Sequence, residues 1–570
     1  MTISLRPHRF EAGNGRAVDA ELGSLEVPMR RGAPAAGAVR LAFVRLPATA
    51  DRGRPPIVFL NGGPGLSGIR FGRGRYFGLF DGLRTAGDVI LLDQRGSGSS
   101  TPSLECAEPL ALPFEQAFSR EEVVRAVIES TRRCAEQLAR SGIDIAAFNS
   151  AESAADVADL ARALGAKQIS LLGWSYGTHL AMAVLRRHDD LVARAVLAGP
   201  EGPDHTYKLP SRIERQLASI GERVRTAMPR APDFVESVRD VLASVAREPA
   251  RITLPVSGGT PRPAVIGRFD LEWMTAEGIG DVRMIARMPR WYRAMARGDF
   301  GDIARDDLLR SHLEELRTGL NRSLVRACMD CASGASLERW RRIEDEARAT
   351  LLGRTIDFPF PEVCDAIGRP DLGDAFRAPL HSRVPTLFVT GTLDARTPAD
   401  NVADLAPGFL NARHLVVEDA GHADLLLPAG VQRTIVRFFT DGDADTAHAR
   451  AETPLRFEPA TPVLLYDADC GFCRRRVEGL RAHVGDAVAF EPYQRAAWSG
   501  ISTTDLARSV HFVDGNGDVS KGAEAILRAR AAGRRRSAIL WMYRRVPGFA
   551  PIAELVYDWV ARRRGRIGSI

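Results

Sequence analysis

A serine flanked by two glycines is the strongest chemical signal in the sequence. Residues 173–177 read Gly-Trp-Ser-Tyr-Gly; they follow an apolar run at 168–172 and precede a helical pattern over 178–185. A Gly-x-Ser-x-Gly turn between a strand and a helix exposes the serine hydroxyl at the end of a parallel sheet. The glycines are needed because strand and helix approach too closely there for side chains. Ser175 is therefore predicted to be a catalytic nucleophile.

A serine nucleophile needs a base and an acid that orients the base, and candidates for both lie downstream. The buried-strand pattern over 384–391 is followed by Asp394, and a shorter strand pattern over 414–417 is followed by His422. Serine, acid, histidine is also the chain order that this kind of turn predicts. We therefore expect His422 to take the proton of Ser175 and Asp394 to orient His422.

Alternative interpretations of these residues are weaker. Asp394 could be a helix N-cap, and His422 could be a surface histidine. Asp419 and Asp424 are nearer to His422 in sequence, but neither follows a long strand. His179 lies one turn into the helix after the nucleophile, where a packing role is the better interpretation.

The oxyanion that forms during acyl transfer needs two backbone N–H donors. Tyr176, the residue after the nucleophile, supplies the first. A strand pattern over 56–60 runs into Asn61 and a Gly-Gly-Pro-Gly turn at 62–65. Because glycines let bare backbone approach an oxyanion, Gly63 is the predicted second donor. A glycine-rich turn without a catalytic role is the alternative.

Three segments together resemble the proline iminopeptidase and tripeptidyl aminopeptidase family of serine peptidases. They are residues 61–65, residues 93–100 (Asp-Gln-Arg-Gly-Ser-Gly-Ser-Ser) and residues 173–178, and the similarity covers about residues 40–440. The resemblance implies an α/β-hydrolase fold. It also implies release of one or a few residues from peptide N-termini through an acyl-enzyme on Ser175.

The resemblance bears on two further positions. Asn61 stands where the family usually has histidine, so the geometry of the oxyanion loop and the substrate preference can differ. The family places acidic residues near the site to hold the α-ammonium group of the substrate, and Glu201 follows a strand pattern at 193–198. Glu201 is the candidate amine anchor, with a solvated loop acid as the alternative. The same triad would also serve an esterase or another small-molecule acyl hydrolase, so an amide or ester substrate stays open.

The chain between Ser175 and Asp394 is longer than one strand–helix repeat requires. Residues from about 205 to 378 have mostly helical patterns, which indicates a helical cap that shapes the site and excludes water. We expect the hydrolase, cap included, to comprise residues 1–440. A linker of small and polar residues follows at 441–452.

A second unit is predicted over residues 453–570. Its first strand pattern, at 462–466, leads into Cys470 and Cys473. A Cys-x-x-Cys pair at a strand-to-helix junction is a thioredoxin-like redox signature. The helix N-terminus and the arginines that follow favour the reactive thiolate of Cys470. The fold class predicted for the chain is therefore an α/β-hydrolase with a helical cap plus a small thioredoxin-like α/β domain.

The residues around this pair resemble the DCC family of proposed thiol-disulfide oxidoreductases. Asp469, Cys470 and Cys473 match its motif, residues 557–564 resemble its C-terminal pattern, and Ala468 stands where the family usually has glycine. The resemblance implies thiol-disulfide exchange with a thiol partner. A structural or binding role is the alternative, and so is an oxidoreductase whose hydrolase part serves as a scaffold.

Composition and charge narrow the class of protein. A chain of 570 residues with 45% hydrophobic and 26% charged residues is typical of a globular protein with more than one domain. Its net charge of +6 is small and comes almost entirely from arginine, so no nucleic-acid partner is expected. No apolar run approaches the ~20 residues of a membrane helix, and residues 1–8 lack the apolar core of a signal peptide. We therefore expect a cytoplasmic protein without a membrane partner, and no cofactor or metal.

Five of the seven cysteines lie outside the redox motif. A second Cys-x-x-Cys, at 328–331, lacks the strand-to-helix setting and is interpreted as structural. Secreted relatives of the resembled family can bridge such positions, but in a reducing cytoplasm we expect free thiols. The five are Cys106, Cys134, Cys328, Cys331 and Cys364.

Overall fold

The structure of the chain is a computed structural model. It describes residues 3–33, 37–49, 53–228, 231–255, 260–446, 449–451, 455–457, 462–494, 501, 503–514, 519–532 and 537–567. The strands, in chain order, are β1 (Ile3–Glu11), β2 (Ala17–Pro28), β3 (Ala38–Leu46), β4 (Ile57–Leu60), β5 (Val89–Asp93), β6 (Ile169–Trp174), β7 (Val192–Ala198), β8 (Ala250–Leu254), β9 (Arg262–Ile266), β10 (Thr386–Gly391), β11 (Ala412–Glu418), β12 (Ala449–Arg450), β13 (Val463–Tyr466), β14 (Ala489–Pro492), β15 (His511–Val513) and β16 (Val519–Lys521).

The α-helices follow the same chain order. They are α1 (Gly68–Arg73), α2 (Phe77–Leu83), α3 (Arg120–Arg140), α4 (Ser150–Ala163), α5 (Tyr176–His188), α6 (Pro210–Ala227), α7 (Phe234–Arg247), α8 (Arg268–Gly278), α9 (Val282–Met295), α10 (Gly301–Arg305), α11 (Asp307–Glu314), α12 (Val325–Ser333), α13 (Leu337–Ala347), α14 (Asp374–Arg377), α15 (Asp400–Leu405), α16 (Ala429–Asp441), α17 (Gly471–Val484), α18 (Thr503–Arg508), α19 (Gly522–Ala532), α20 (Ala538–Arg545) and α21 (Phe549–Ile567).

The chain divides into two compact units. The first comprises Met1–Gln216, Gly267–Val282 and Leu313–Pro454, and the second comprises Leu217–Ile266, Arg283–His312 and Leu455–Ile570. The predicted start of the C-terminal unit at residue 453 and part of the predicted linker lie outside the described residues. The predicted domain boundaries therefore stay predictions.

The first unit is built on a ten-stranded sheet. Its strand order is β1-β2-β3-β5-β4-β6-β7-β10-β11-β12. The pairings β1/β2, β2/β3 and β3/β5 are antiparallel, and every pairing from β5/β4 to β11/β12 is parallel. Helices cover both faces, as parallel strands require. The prediction of an α/β-hydrolase fold is confirmed.

Strand β4 illustrates how the sequence specifies a central strand. Its four residues, Ile57 to Leu60, are all apolar and all buried. Successive side chains of a strand point to opposite faces. Val58 and Leu60 accordingly enter the core cluster that holds helices α4 and α5, whereas Ile57 and Phe59 enter the cluster that holds α2 and α16.

The topology brings three loops to one edge of the sheet. Strands β6, β7, β10 and β11 are neighbours and run parallel, so their carboxyl ends lie side by side. Ser175 directly follows β6, Asp394 follows β10, and His422 follows β11. Loops at the carboxyl ends of parallel strands are where open α/β sheets build their sites.

The second unit contains a hairpin and a small sheet. The hairpin β8/β9 lies in a region that the sequence predicts to be mostly helical. Its strands are only five residues long, which is too short for a clear strand pattern in the sequence. The small sheet has the order β14-β13-β15-β16, with β13/β14 parallel and the other pairings antiparallel. Helices α17 and α19 pack on it through Val477 and Ala525. No helix among the described residues is both long and apolar enough to cross a membrane.

Candidate active site

Ser175 occupies a strained turn between β6 and α5. Its backbone has φ 56° and ψ −128°, a conformation that non-glycine residues rarely adopt. A Cβ on Gly177 would lie 1.9 Å from the Leu60 carbonyl oxygen, and one on Gly173 would lie 2.6 Å from the Gly177 carbonyl oxygen. The two glycines of the motif are thus required by the close passage of strand and helix, and the strain holds the serine hydroxyl clear of both.

Ser175, His422 and Asp394 form one hydrogen-bonded chain. His422 Nε2 lies 2.9 Å from Ser175 Oγ, and His422 Nδ1 lies 2.8 Å from Asp394 Oδ2. The backbone N–H of His422 donates to the Gly280 carbonyl at 2.9 Å, which anchors the loop after β11. The Trp174 ring stacks on the imidazole at a centroid distance of 5.2 Å. The structure therefore brings together the three residues that the sequence predicts as a triad.

Asp394 is held as a buried carboxylate. It is 1% exposed, and its Oδ1 accepts the backbone N–H groups of Arg396 and Thr397 at 2.9 Å each. Its Oδ2 accepts the Thr397 hydroxyl at 2.7 Å. These donors fix the carboxyl group in the orientation in which it meets His422.

The two predicted oxyanion donors are Tyr176, which follows Ser175 in the chain, and Gly63. Tyr176 begins α5, so its N–H belongs to the first turn, where backbone donors have no partner within the helix. Gly63 lines the same pocket as Ser175. The N–H of Gly62 donates to Asn61 Oδ1 at 2.9 Å, which leaves Gly63 as the better-placed donor of that turn.

Asn61 ties the oxyanion loop together. Besides accepting from Gly62, its Nδ2 donates to the Ser67 carbonyl at 3.0 Å, and its own carbonyl accepts from Gln94 Nε2 at 2.8 Å. Asn61 is 1% exposed. Asn61, which stands where the resembled family usually has histidine, therefore supports the loop from a buried position and is not among the residues that line the pocket.

The pocket around Ser175 is polar and charged. Only two of its lining side chains, Ile356 and Phe360, are apolar. The remaining residues are Gly63, Ser175, Glu201, Thr206, Tyr207, Lys208, Arg326, Asp330, Asp357, Arg396 and Thr397. A pocket with this lining suits a charged or zwitterionic substrate better than an apolar acyl chain.

Glu201 lies in this pocket, as the sequence suggested, but it is not a free anion. Its carboxylate pairs with Lys208 Nζ at 2.9 Å. Although burial favours the neutral acid, Lys208 and His179 lower the pKa of Glu201 below its usual value. The local charge of Glu201 is thus already compensated.

Two buried acids that sequence reasoning missed share the pocket. Burial raises the pKa of Asp330 to about 7 and that of Asp357 to about 6. Asp357 Oδ1 accepts the Lys208 backbone N–H at 2.8 Å, whereas its Oδ2 is buried without a hydrogen-bond donor among the described residues. The helical region carries no local motif that would have singled these acids out. The one sequence feature that could have drawn attention to Asp330 is its position between Cys328 and Cys331.

The expectation of free thiols in the hydrolase is wrong for four of its five cysteines. Cys106 is joined to Cys134, and Cys331 is joined to Cys364, by disulfides with Cα–Cα distances of 5.2 and 5.5 Å. The sequence does not show that these cysteines are close together, because only the folding of the chain brings them into contact. Cys328 stays a buried thiol, and burial raises its pKa to about 12.

In the C-terminal sheet domain, the second cysteine pair lies where the sequence predicts it. Cys470 is the N-cap of α17, and its Sγ accepts the backbone N–H of Cys473 at 3.3 Å. No disulfide joins the two, and both are partly exposed. The pair thus begins the helix that follows β13, which is the strand-to-helix junction that the sequence predicts. Within the described ranges, no three His, Cys, Asp or Glu side chains are grouped so as to hold a metal ion.

Three family models match the chain. The description "alpha/beta hydrolase fold" covers residues 55–230, "TAP-like protein" covers residues 359–451, and "DCC1-like thiol-disulfide oxidoreductase" covers residues 464–569. The chain therefore has the α/β-hydrolase fold, and its C-terminal residues match a DCC1-like domain.

Curated relatives of this α/β-hydrolase include peptidases. The serine protease Hip1 of Mycobacterium tuberculosis is 29% identical over 190 residues, which cover 32% of this chain and 36% of the relative. The tripeptidyl aminopeptidase of Streptomyces lividans is 29% identical over 196 residues, with 32% and 36% coverage. The α/β-hydrolase thus matches about a third of the length of these relatives.

Solved structures similar to this α/β-hydrolase are remote. An esterase from Thermogutta terrifontis is 17% identical, with 73% of this chain and 99% of that chain covered and a TM-score of 0.33. A proline iminopeptidase-related protein from Thermus thermophilus is 16% identical, with 74% and 98% coverage and a TM-score of 0.30. Similarity at this level does not discriminate between substrates.

Proposed function

We propose that this chain is a serine hydrolase that releases residues from the free N-termini of peptides. The observation that carries the proposal is the shared pocket: a serine bonded to a histidine and a buried acid lies among three buried carboxyl groups. Ser175, His422 and Asp394 would carry out acyl transfer, and the carboxyl groups of the pocket would bind a cationic amine. The peptidase names of the relatives point in the same direction.

In the first half-reaction, Ser175 Oγ attacks the carbonyl carbon of the scissile amide. His422 Nε2, 2.9 Å away, accepts the serine proton and then gives it to the leaving amine. Asp394 holds the proton of the imidazole on Nδ1 and stabilises the imidazolium that forms. The N–H groups of Tyr176 and Gly63 are the proposed donors to the oxyanion. Water then attacks the acyl-enzyme with His422 as base.

The α-ammonium group of the substrate would be held by the acids of the pocket. Glu201 was the sequence candidate, but Lys208 already pairs with it. Asp357 offers a buried carboxylate oxygen that has no hydrogen-bond donor among the described residues, and Asp330 lines the same pocket. An ammonium group near these carboxyls favours their charged forms and so offsets the burial that raises their pKa values. We therefore assign the amine site to Asp357 and Asp330. Lys208, which pairs with Glu201, helps to hold Asp357 in place through its backbone N–H.

The C-terminal domain is proposed to exchange thiols with disulfides. Cys470 at the N-terminus of α17 would attack a disulfide sulfur of a partner, and Cys473 would then close the Cys470–Cys473 disulfide and release the partner's second thiolate. The match to the DCC1-like family supports this second activity. It is independent of Ser175.

The deciding experiment is hydrolysis of matched arylamides. Tripeptidyl and aminoacyl arylamides with free and with acetylated N-termini are compared with aryl acetates, using the full chain and its Ser175→Ala variant. Cleavage that needs both Ser175 and a free amine supports the proposal. Serine-dependent ester cleavage without amide cleavage would assign the site to an esterase instead.

A further inference from the structure

One disulfide joins two segments that contribute residues to the lining of the Ser175 pocket. Cys331 belongs to helix α12, and Cys364 belongs to the 3₁₀ turn Glu362–Ile367, which is 33 residues further along the chain. Both sulfurs are buried, since Cys331 is 6% and Cys364 is 4% exposed. The bond therefore joins two separate segments inside the molecule.

Each of the two joined segments carries one of the proposed amine-binding acids. Asp330 directly precedes Cys331 on α12, and Asp357 ends the 3₁₀ turn Thr355–Asp357, seven positions before Cys364. Phe360, between Asp357 and Cys364, also lines the pocket. The distance between the two acids thus depends on how firmly these segments are tied.

Tyr207 connects the disulfide to the pocket. Its hydroxyl donates to the Asp330 carbonyl at 3.3 Å and lies 3.7 Å from Cys364 Sγ. Its ring packs against Phe360 at a centroid distance of 5.8 Å. A shift of Cys364 relative to Cys331 would therefore be transmitted to both acid-bearing segments.

We infer that Cys331 and Cys364 are a positioning pair, whose disulfide holds Asp330 and Asp357 at the separation needed to bind the substrate ammonium group. The inference rests on the proposed aminopeptidase function. It adds that the affinity for free-amine substrates depends on whether this pair is oxidised. The arrangement of Ser175, His422 and Asp394 does not depend on it.

Other contacts keep the 3₁₀ segment in place when the disulfide is absent. Glu362 accepts from Arg120 and Arg354 at 2.8 and 2.9 Å, and Phe358 packs edge-on against Phe269 at 5.0 Å. Loss of the bond should therefore loosen the pocket wall while the unit stays folded.

The test uses the full chain with both cysteines replaced, C331S/C364S. KM for a free-amine tripeptidyl arylamide should rise about tenfold, whereas kcat and the rate on an aryl acetate should stay within about twofold. The matched control is C106S/C134S, which removes the other disulfide; Asp330, next to Cys331, lines the pocket, whereas no residue next to Cys106 or Cys134 in the chain does. That control should leave KM unchanged.

A second measurement uses the unmutated chain and dithiothreitol. A dithiothreitol thiolate attacks one sulfur of the Cys331–Cys364 bond, and its second thiol closes the dithiothreitol ring, so that two electrons and two protons pass to the cysteines. Cys328 does not compete, because burial keeps it protonated. With reduction verified by mass spectrometry, KM should rise as in the double variant and return on reoxidation.

An unchanged KM in both the double variant and the reduced protein, with free-amine cleavage intact, would overturn the positioning role alone. A parallel fall in kcat and ester turnover would also overturn it, because that result means general unfolding. Absence of free-amine cleavage in the unmutated chain would instead overturn the proposed function and this inference with it.

Discussion

Lys208 Nζ lies 2.9 Å from Glu201 Oε2 within the pocket of Ser175. Of the three acids in the pocket, the one nearest in sequence to the helix after Ser175 therefore has its own cationic partner. A substrate ammonium group that approached Glu201 would have to displace Lys208 or share the carboxylate with it. Asp330 is also paired, with Arg326 Nε 3.4 Å from its Oδ2. Asp357 Oδ2 has no hydrogen-bond donor among the described residues and is therefore the better candidate partner for a substrate ammonium group.

Removing the charge of Asp357 should weaken substrate binding selectively. For Asp357→Asn, KM for free-amine arylamides should rise about tenfold or more, because the ammonium loses a desolvated carboxylate. Turnover of an aryl acetate should not change. Steady-state kinetics on both substrates measures this, with Asp365→Asn as the matched control, since Asp365 is exposed and pairs with Arg369. Equal KM changes in both variants would contradict the assignment.

The pH dependence of KM should follow the pocket acids. The pKa values of Asp330 and Asp357 are raised to about 7 and about 6, so both acids become neutral as pH falls through that range. A cationic substrate then loses its partners, and KM should increase from pH 8 towards pH 5. Asp330→Asn should remove the part of this change near pH 7. A KM that is flat between pH 5 and 8 would argue against an amine site here.

Asp394 should act through His422 and not through folding. Asp394→Asn should lower kcat by about 10⁴-fold, since the asparagine no longer holds the imidazole proton on Nδ1. Asp424→Asn is the control: Asp424 is closer to His422 in sequence but lies 3.8 Å from Arg75, and activity should stay within about threefold. Kinetics and thermal unfolding of both variants separate catalysis from stability. A large loss of kcat in Asp424→Asn would contradict the assignment of Asp394 as the acid that orients His422.

The close passage at Gly177 should make this position intolerant of any side chain. Gly177→Ala would place a Cβ 1.9 Å from the Leu60 carbonyl oxygen, so backbone must move at a cost of about 3 kcal/mol or more. Gly430→Ala in α16 has its nearest atom at 4.0 Å and should be neutral or slightly stabilising. Thermal unfolding of the two variants gives the comparison. Equal melting temperatures would show that the turn can relax.

Thiol reactivity should separate the cysteines by their surroundings. Iodoacetamide at pH 8 should alkylate Cys470, which is partly exposed at a helix N-terminus, within minutes. Cys328 should stay unlabelled until the protein is unfolded, because a pKa of about 12 leaves about 0.01% thiolate at that pH. Peptide mapping by mass spectrometry quantifies both. Prompt labelling of Cys328 in the folded protein would contradict its burial.

Local sequence was sufficient for the strand-turn-helix unit around Ser175. The Gly-x-Ser-x-Gly turn needs a strained backbone conformation that only certain residues permit. Those residues are consecutive in the chain, so the turn can be predicted from local sequence. The strands that precede Asp394 and His422 are apolar runs of the same kind. Their order along the chain, together with parallel pairing, predicts that the three residues meet at one edge of the sheet.

Tertiary structure alone decided the rest of the pocket. Asp330 and Asp357 lie in a helical region whose pattern reports burial but not which elements face each other, and the Cys331–Cys364 bond depends on two segments 33 residues apart. The ion pair between Glu201 and Lys208 makes Glu201, the amine anchor predicted from the sequence, less available to a substrate. Sequence therefore predicted the turn at Ser175 and the strands that precede Asp394 and His422, because each of these elements depends on neighbouring residues in the chain. The substrate-binding charges depend on neighbours in space, and only the fold supplies those.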